Sequence, residues 1–154
     1  MHPIEQFAFE FNVQQDYFEC HEVLEELWQA GHRQDEALVA LIQLAVARYH
    51  HRRGNLPGAM RTYPKAFQKI TRHKGALTGH GIDVDRLLAL QPLFTQPDYQ
   101  HLPLPLTDDL TRRVKELPIE YRHDPSFLLH KHVLRDRQDV ITARQMALAE
   151  RARK

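Results

Sequence analysis

The segment from Asp35 to Gly54 constrains the fold more than any other part of this sequence. Between Ala37 and Ala47 every residue is apolar except Gln43. A helix that is apolar nearly all round is typical of the central element of a bundle. The run is well short of the roughly 20 residues that cross a bilayer. It therefore predicts a buried core helix, capped by Asp35 and ended by Gly54, and no membrane partner.

Apolar residues recur at helical spacing on both sides of this segment, whereas no strand-like alternation persists. Residues 75–81 are expected to form a turn-rich break, and a helix over 84–90 to end before Pro92. The four prolines between 92 and 106 favour an extended strap. The expected class is all-α, a small multi-helix bundle with a Pro-rich strap and a C-terminal helical extension. The predicted domains are a helical core over 1–91, the strap over 92–106 and an extension over 107–154 packed on the core. The predicted helices cover residues 3–13, 16–31, 35–53, 55–70, 84–90 and 107–117, with a last one from 124.

The charge balance and the cysteine content limit which partners and which cellular compartment we expect for this protein. The chain of 154 residues has 21 basic and 20 acidic side chains, so no overall field attracts nucleic acid, which is an unlikely partner on this ground. The single cysteine, Cys20, cannot form an intramolecular disulfide, and no signal-peptide pattern opens the chain. We expect a cytoplasmic protein.

The helix over 16–31 carries the first half of a candidate site. At about 100° per residue, His21 and Glu25 lie about 40° apart at the edge of its apolar stripe. Glu22 falls on the opposite, solvated side together with Glu19 and Glu26. His21 and Glu25 are therefore the pair predicted to face inward.

The central helix offers a counterpart, since Gln43 and His50 lie two turns apart on one face with the small Ala47 between them. A polar pocket between the two helices is the expected result. His21, Glu25 and His50 could together hold a divalent ion such as zinc, manganese or iron.

Chemistry at such an ion would be hydrolysis of an unidentified small molecule. A metal-bound water attacks esters, amides or phosphates, and Glu22 or Glu25 would serve as its proton acceptor. The alternative is that His21, Glu25, Gln43 and His50 form a buried hydrogen-bond network that sets helix register. The protein would then be a non-catalytic interaction module. Its docking surface would be exposed parts of Tyr17, Phe18 and Trp28 or the C-terminal helix, and it would bind a protein or a second copy in a homo-oligomer.

A longer pattern spans both halves of the candidate site. Phe11-Asn12 precedes Asp-Tyr-Phe-Glu-Cys-His-Glu-Val-Leu-Glu-Glu-Leu-Trp over 16–28, followed by Leu-Ile-Gln-Leu-Ala over 41–45, Tyr-His at 49–50, and Gly-Asn-x-x-Gly-Ala over 54–59. This order and spacing resembles the domain of unknown function family 309, over about residues 7–91. The resemblance implies a small all-α prokaryotic protein, with a family label of predicted metal-dependent hydrolase and no established substrate. The strap and the last helices have no counterpart in it and are expected to be an elaboration of this chain. The motif positions carried over are Glu19, His21, Glu22, Glu25, Trp28, Gln43, His50, Asn55 and Gly58, which adds Trp28 and Asn55 to the predicted pocket.

Overall fold

The computed structural model describes residues 2–117, and helices dominate them. The all-α, multi-helix class predicted from apolar spacing is confirmed. Within the described residues, none of the helices combines the length and the apolar character that crossing a bilayer requires. The α-helices of residues 2–117 are α1 (Pro3–Phe9), α2 (Tyr17–Ala30), α3 (Glu36–Arg52), α4 (Leu56–Arg72), α5 (Lys74–Gly79), α6 (Val84–Ala89), α7 (Gln91–Phe94) and α8 (Asp108–Lys115).

Helix α3 is the central element, and it packs against both α2 and α4. Nearly all of its side chains are buried, as its all-round apolar sequence predicts. The carboxylate of Asp35 accepts hydrogen bonds from the backbone N–H groups of Ala37 and Leu38, at 3.0 and 3.4 Å. Gly54, at φ +83°, ends the helix in the left-handed conformation that glycine tolerates best. Local sequence signals therefore delimit this helix correctly at both ends.

The predicted helix over 3–13 divides into two parts. α1 is followed by a turn of π-helix over Glu10–Gln14, which ends at Gln15 in the left-handed conformation, φ 54°. The turn packs the ring of Phe11 at an angle against the rings of Phe7 and Tyr17, with ring centroids 5.8 and 5.2 Å apart. The wider π-helical turn thus occurs where Phe11 packs against the start of α2. The spacing of apolar residues in the sequence does not distinguish such a turn from an α-helix.

Two expectations after α4 are wrong. Residues 75–81, predicted as a break, contain α5, because Leu77 is buried and tertiary packing outweighs the low helix propensity of its two glycines. The helix predicted over 84–90 is confirmed, because α6 ends before Pro92. The strap, however, does not begin at residue 92 as expected. Pro92 lies in the first turn of α7, where a missing N–H is tolerated. α7 brings Phe94 into the core.

Residues 95–106 form the irregular strap that the prolines predict. Its two ends are anchored by buried Phe94 and Leu104, whereas no side chain over 95–103 is buried. A β-bridge joins Leu106 to Ile82. α8 follows, capped by Thr107. All the described residues lie within one compact unit, and the helix predicted from 124 lies outside them.

Candidate functional site

His21 and Glu25 form a buried pair on α2. The Nε2 atom of His21 lies 3.1 Å from a carboxylate oxygen of Glu25, and the His21 side chain is 2% exposed against 18% for Glu25. Asp16 starts the helix by accepting the N–H of Glu19 at 3.0 Å. The i, i+4 spacing then places imidazole and carboxylate one turn apart on the same side.

Burial sets the protonation of this pair. It lowers the pKa of His21 to about 4, so the imidazole is neutral at pH 7. Burial also raises the pKa of Glu25, and the neighbouring Glu22 carboxylate raises it further. With Glu25 ionised, Nε2 of His21 carries the proton and donates it in the hydrogen bond.

His50 belongs to a second pair. It lies half-buried at the end of α3, where its Nδ1 accepts a hydrogen bond from the side-chain amide of Asn55 at 3.2 Å. The amide oxygen of Asn55 accepts the N–H of Gly58 at 3.2 Å and so caps α4. A Cβ atom at Gly58 would lie 2.6 Å from the Asn55 side chain. Because residue 58 is a glycine, the Asn55 amide has room to bond both to His50 on α3 and to the start of α4.

The other residues of the predicted pocket differ in exposure. Gln43 is buried on α3, and Glu22 is exposed on α2, the solvated side predicted for it. Trp28 is buried beneath the guanidinium of Arg33, which lies 5.7 Å from its ring centroid. Together with Tyr17 and Phe18, Trp28 was expected to contribute an exposed docking surface. That expectation is wrong, because all three rings pack in the core.

The predicted metal site needs a group of suitable ligand side chains. Catalytic zinc sites use three protein ligands and leave one position open. Within residues 2–117 no group of three or more His, Cys, Asp or Glu side chains is arranged to hold a metal ion. A site formed by His21, Glu25 and His50 therefore stays a prediction.

Sequence reasoning missed a charged side chain that is fully buried. Arg48 of α3 is fully buried, and its Nη2 donates to the main-chain oxygen of Gln100 at 2.6 Å. Its Nη1 donates to the hydroxyl of Tyr63 at 3.3 Å. The guanidinium lies 4.5 Å from the ring centroid of Tyr99 and 5.0 Å from that of Phe94. An arginine directly after the longest apolar run, in a helix predicted to be buried, was the available signal.

Polar groups surrounding Arg48 fasten the strap to the helices. His51 contacts the hydroxyl of Tyr63 through Nδ1, at 2.9 Å, and the main-chain oxygen of Pro97 through Nε2, at 3.0 Å. A carbonyl only accepts, so Nε2 of His51 donates to Pro97. Further along, Asn12 makes two bonds with the backbone of Leu104, at 3.0 and 2.7 Å. This arrangement fixes the position of the strap backbone.

Comparison with known proteins agrees with the pattern of residues 11–59. The family model described as Domain of unknown function (DUF309) matches residues 4–62, which include both polar pairs and Arg48. An uncharacterised protein of Bacillus subtilis (strain 168), YpuF, is 35% identical to this chain over 161 residues. The match covers 94% of this chain and 92% of the length of YpuF. That coverage takes in residues beyond 91, so the expectation that the strap and C-terminal segment are peculiar to this chain is wrong. No solved structure matches. With a relative this similar along nearly its full length, the chain belongs to the domain of unknown function family 309.

Proposed function

We propose that this protein is a non-catalytic helical binding module. The observation that carries the proposal is the separation of charge between helices. Residues 1–36 contain nine acidic side chains and one basic side chain, whereas residues 37–82 contain eight basic and no acidic side chains. The near-zero net charge conceals this separation. Charged surfaces of one sign attract partners of the other sign.

Side chains of opposite charge are exposed on two different helices. Glu22 and Glu26 are exposed on α2, and Arg61, Lys65 and Arg72 are exposed on α4. In the part of the chain that the structure describes, none of these five makes an ion pair. We call Arg61, Lys65 and Arg72 the basic face of α4. Within residues 2–117 no carboxylate neutralises their charges.

The two polar pairs have a structural role in this proposal. His21 with Glu25, and His50 with Asn55, satisfy polar groups that the packing of α2, α3 and α4 removes from water. A cytoplasmic location belongs to the same proposal, supported by the free, buried thiol of Cys20.

Metal analysis tests the proposal. The full chain is treated with a chelator, dialysed against zinc, manganese or iron(II), and assayed for bound metal by mass spectrometry, alongside His21→Gln and His50→Gln. Binding that depends on neither histidine, or no binding, supports the module. One equivalent of metal lost in both variants would overturn it, because ligands in one site fail together.

A metal-dependent hydrolase is the second candidate. It is favoured by the neutral imidazole of His21, since metals bind deprotonated imidazole. The contact of His21 with Glu25 also brings together two of the three predicted ligands. This candidate requires a third ligand from His50, a small-molecule substrate, and Glu22 or Glu25 as base. The metal analysis separates the two candidates, because only the hydrolase predicts the shared loss.

A further inference from the structure

The residues of the basic face share one side of α4. At about 100° per residue, Arg61, Lys65 and Arg72 fall within about 40° of one another, and at about 1.5 Å per residue they extend over about 16 Å. Like charges at i, i+4 destabilise a helix by a few tenths of a kcal/mol, and Arg61 and Lys65 have this spacing. Local stability therefore does not account for placing them together.

The surroundings of this face contain no apolar anchor. The other exposed residues between Arg61 and Arg72 are Pro64, Gln68 and Thr71. The large hydrophobic side chains exposed within residues 2–117 are Val13 and Leu93, and neither belongs to α4. Protein interfaces are enriched in arginine, but they place it beside aromatic anchors in a desolvated centre and are depleted of lysine, and this face has a lysine and no exposed aromatic residue. A polyanionic backbone needs only positive charge.

Charge spacing favours one kind of polyanion. A nucleic-acid duplex rises about 3.4 Å per phosphate on each strand, so a line of about 16 Å covers about five steps. Arginine and lysine side chains contact phosphates without reading base sequence. Resting on the proposed binding function, we infer that the basic face of α4 binds the phosphodiester backbone of a nucleic acid. The interaction is independent of sequence and sensitive to salt.

The test measures how binding to a labelled 20-base-pair DNA duplex depends on KCl between 50 and 200 mM, by fluorescence anisotropy with the full chain. Each phosphate contact contributes about 0.9 to the slope of log K against log salt. The double variant R61Q/K65Q should therefore have a slope shallower by about 1.8 and, at 50 mM KCl, an affinity lower by roughly tenfold or more. Thermal unfolding should be unchanged, because both side chains are exposed.

Two control variants each remove two positive charges from other parts of the chain. R86Q/K115Q alters exposed residues of α6 and α8 that make no ion pair within residues 2–117. R151Q/R153Q alters the basic C-terminal segment of the sequence. Both controls should keep the slope of the unaltered chain. An equal loss in a control would overturn the assignment to α4.

Further outcomes separate this inference from the proposed function. Binding of poly-L-glutamate but not of the duplex would overturn the inference and leave the binding module standing. Self-association that R61Q/K65Q abolishes, without duplex binding, would point to the acidic side chains of α2 in a second copy. That outcome too would overturn the nucleic-acid assignment while supporting a binding module. Binding to none of these probes, together with a histidine-dependent metal, would overturn both.

Discussion

The guanidinium of Arg48, fully buried in α3, donates a 2.6 Å hydrogen bond to the main-chain oxygen of Gln100 in the strap. No carboxylate within residues 2–117 forms an ion pair with Arg48. The charge is stabilised by a carbonyl, by tyrosine hydroxyls and by aromatic faces. The central helix therefore holds the strap through a buried cation, since the strap buries no side chain over 95–103.

Replacing Arg48 should loosen the strap before it unfolds the helices. Arg48→Ala removes the anchor and leaves a cavity, so the free energy of unfolding should fall by about 3 kcal/mol. Arg48→Met retains most of the volume and also removes a buried charge, so it should cost only about 1 kcal/mol. Urea unfolding measures both values.

Both variants should make residues 95–103 more susceptible to limited proteolysis, because the bond to Gln100 is lost in each. Exposed Arg86 offers the matched control, since Arg86→Met should change neither stability nor cleavage. Unchanged strap cleavage in Arg48→Met would show that the aromatic contacts suffice without the hydrogen bond.

His21 should make stability depend on pH. Its pKa is about 4 in the folded chain and about 6.5 when unfolded. Between these values the unfolded state binds more protons, so stability is lost as pH falls through this window. From pH 7 to pH 5 the loss from His21 should be about 2 kcal/mol. The raised pKa of Glu25 acts in the opposite direction, because a carboxyl favoured in its neutral form stabilises the fold as pH falls.

The variant His21→Gln keeps a polar side chain near Glu25 and removes this titration. Urea unfolding at pH 7 and pH 5 should therefore show a difference smaller by about 2 kcal/mol than in the unaltered chain. His32→Gln, in an exposed turn, should retain the full difference. If His21→Gln also retained it, protonation of His21 would not be coupled to folding.

Gly58 and Asn55 should behave as a coupled pair. A methyl group at Gly58 would collide with the Asn55 side chain that caps α4 and bonds to His50. Gly58→Ala alone should therefore destabilise the chain by about 1 kcal/mol, and Asn55→Ala by a similar amount through loss of the cap. In the Asn55→Ala background, Gly58→Ala should instead be neutral or stabilising by up to about 1 kcal/mol, because alanine favours the helix and the obstacle has gone. A double-mutant cycle in urea measures the coupling, and strictly additive effects would contradict the collision.

The sequence by itself determined the long helices α2, α3 and α4 and the contacts that lie within one of them. Caps such as Asp35, the apolar stripe of α3 and the i, i+4 pairing of His21 with Glu25 follow from spacing along a single helix, because neighbouring turns are adjacent in any helix. The same local signals place Asn55 at the start of α4. The structure agrees with each of them.

Only the tertiary structure decided which residues of other segments pack against these helices. Helices α5 and α7, the π-turn after α1 and the burial of Tyr17, Phe18 and Trp28 depend on distant packing that outweighs local propensity. The bonds from Asn12 to Leu104 and from Arg48 to Gln100 join residues 92 and 52 positions apart. No periodicity within a segment specifies such partners, since they arise only when helices and strap pack together and every buried polar group must find an acceptor or donor.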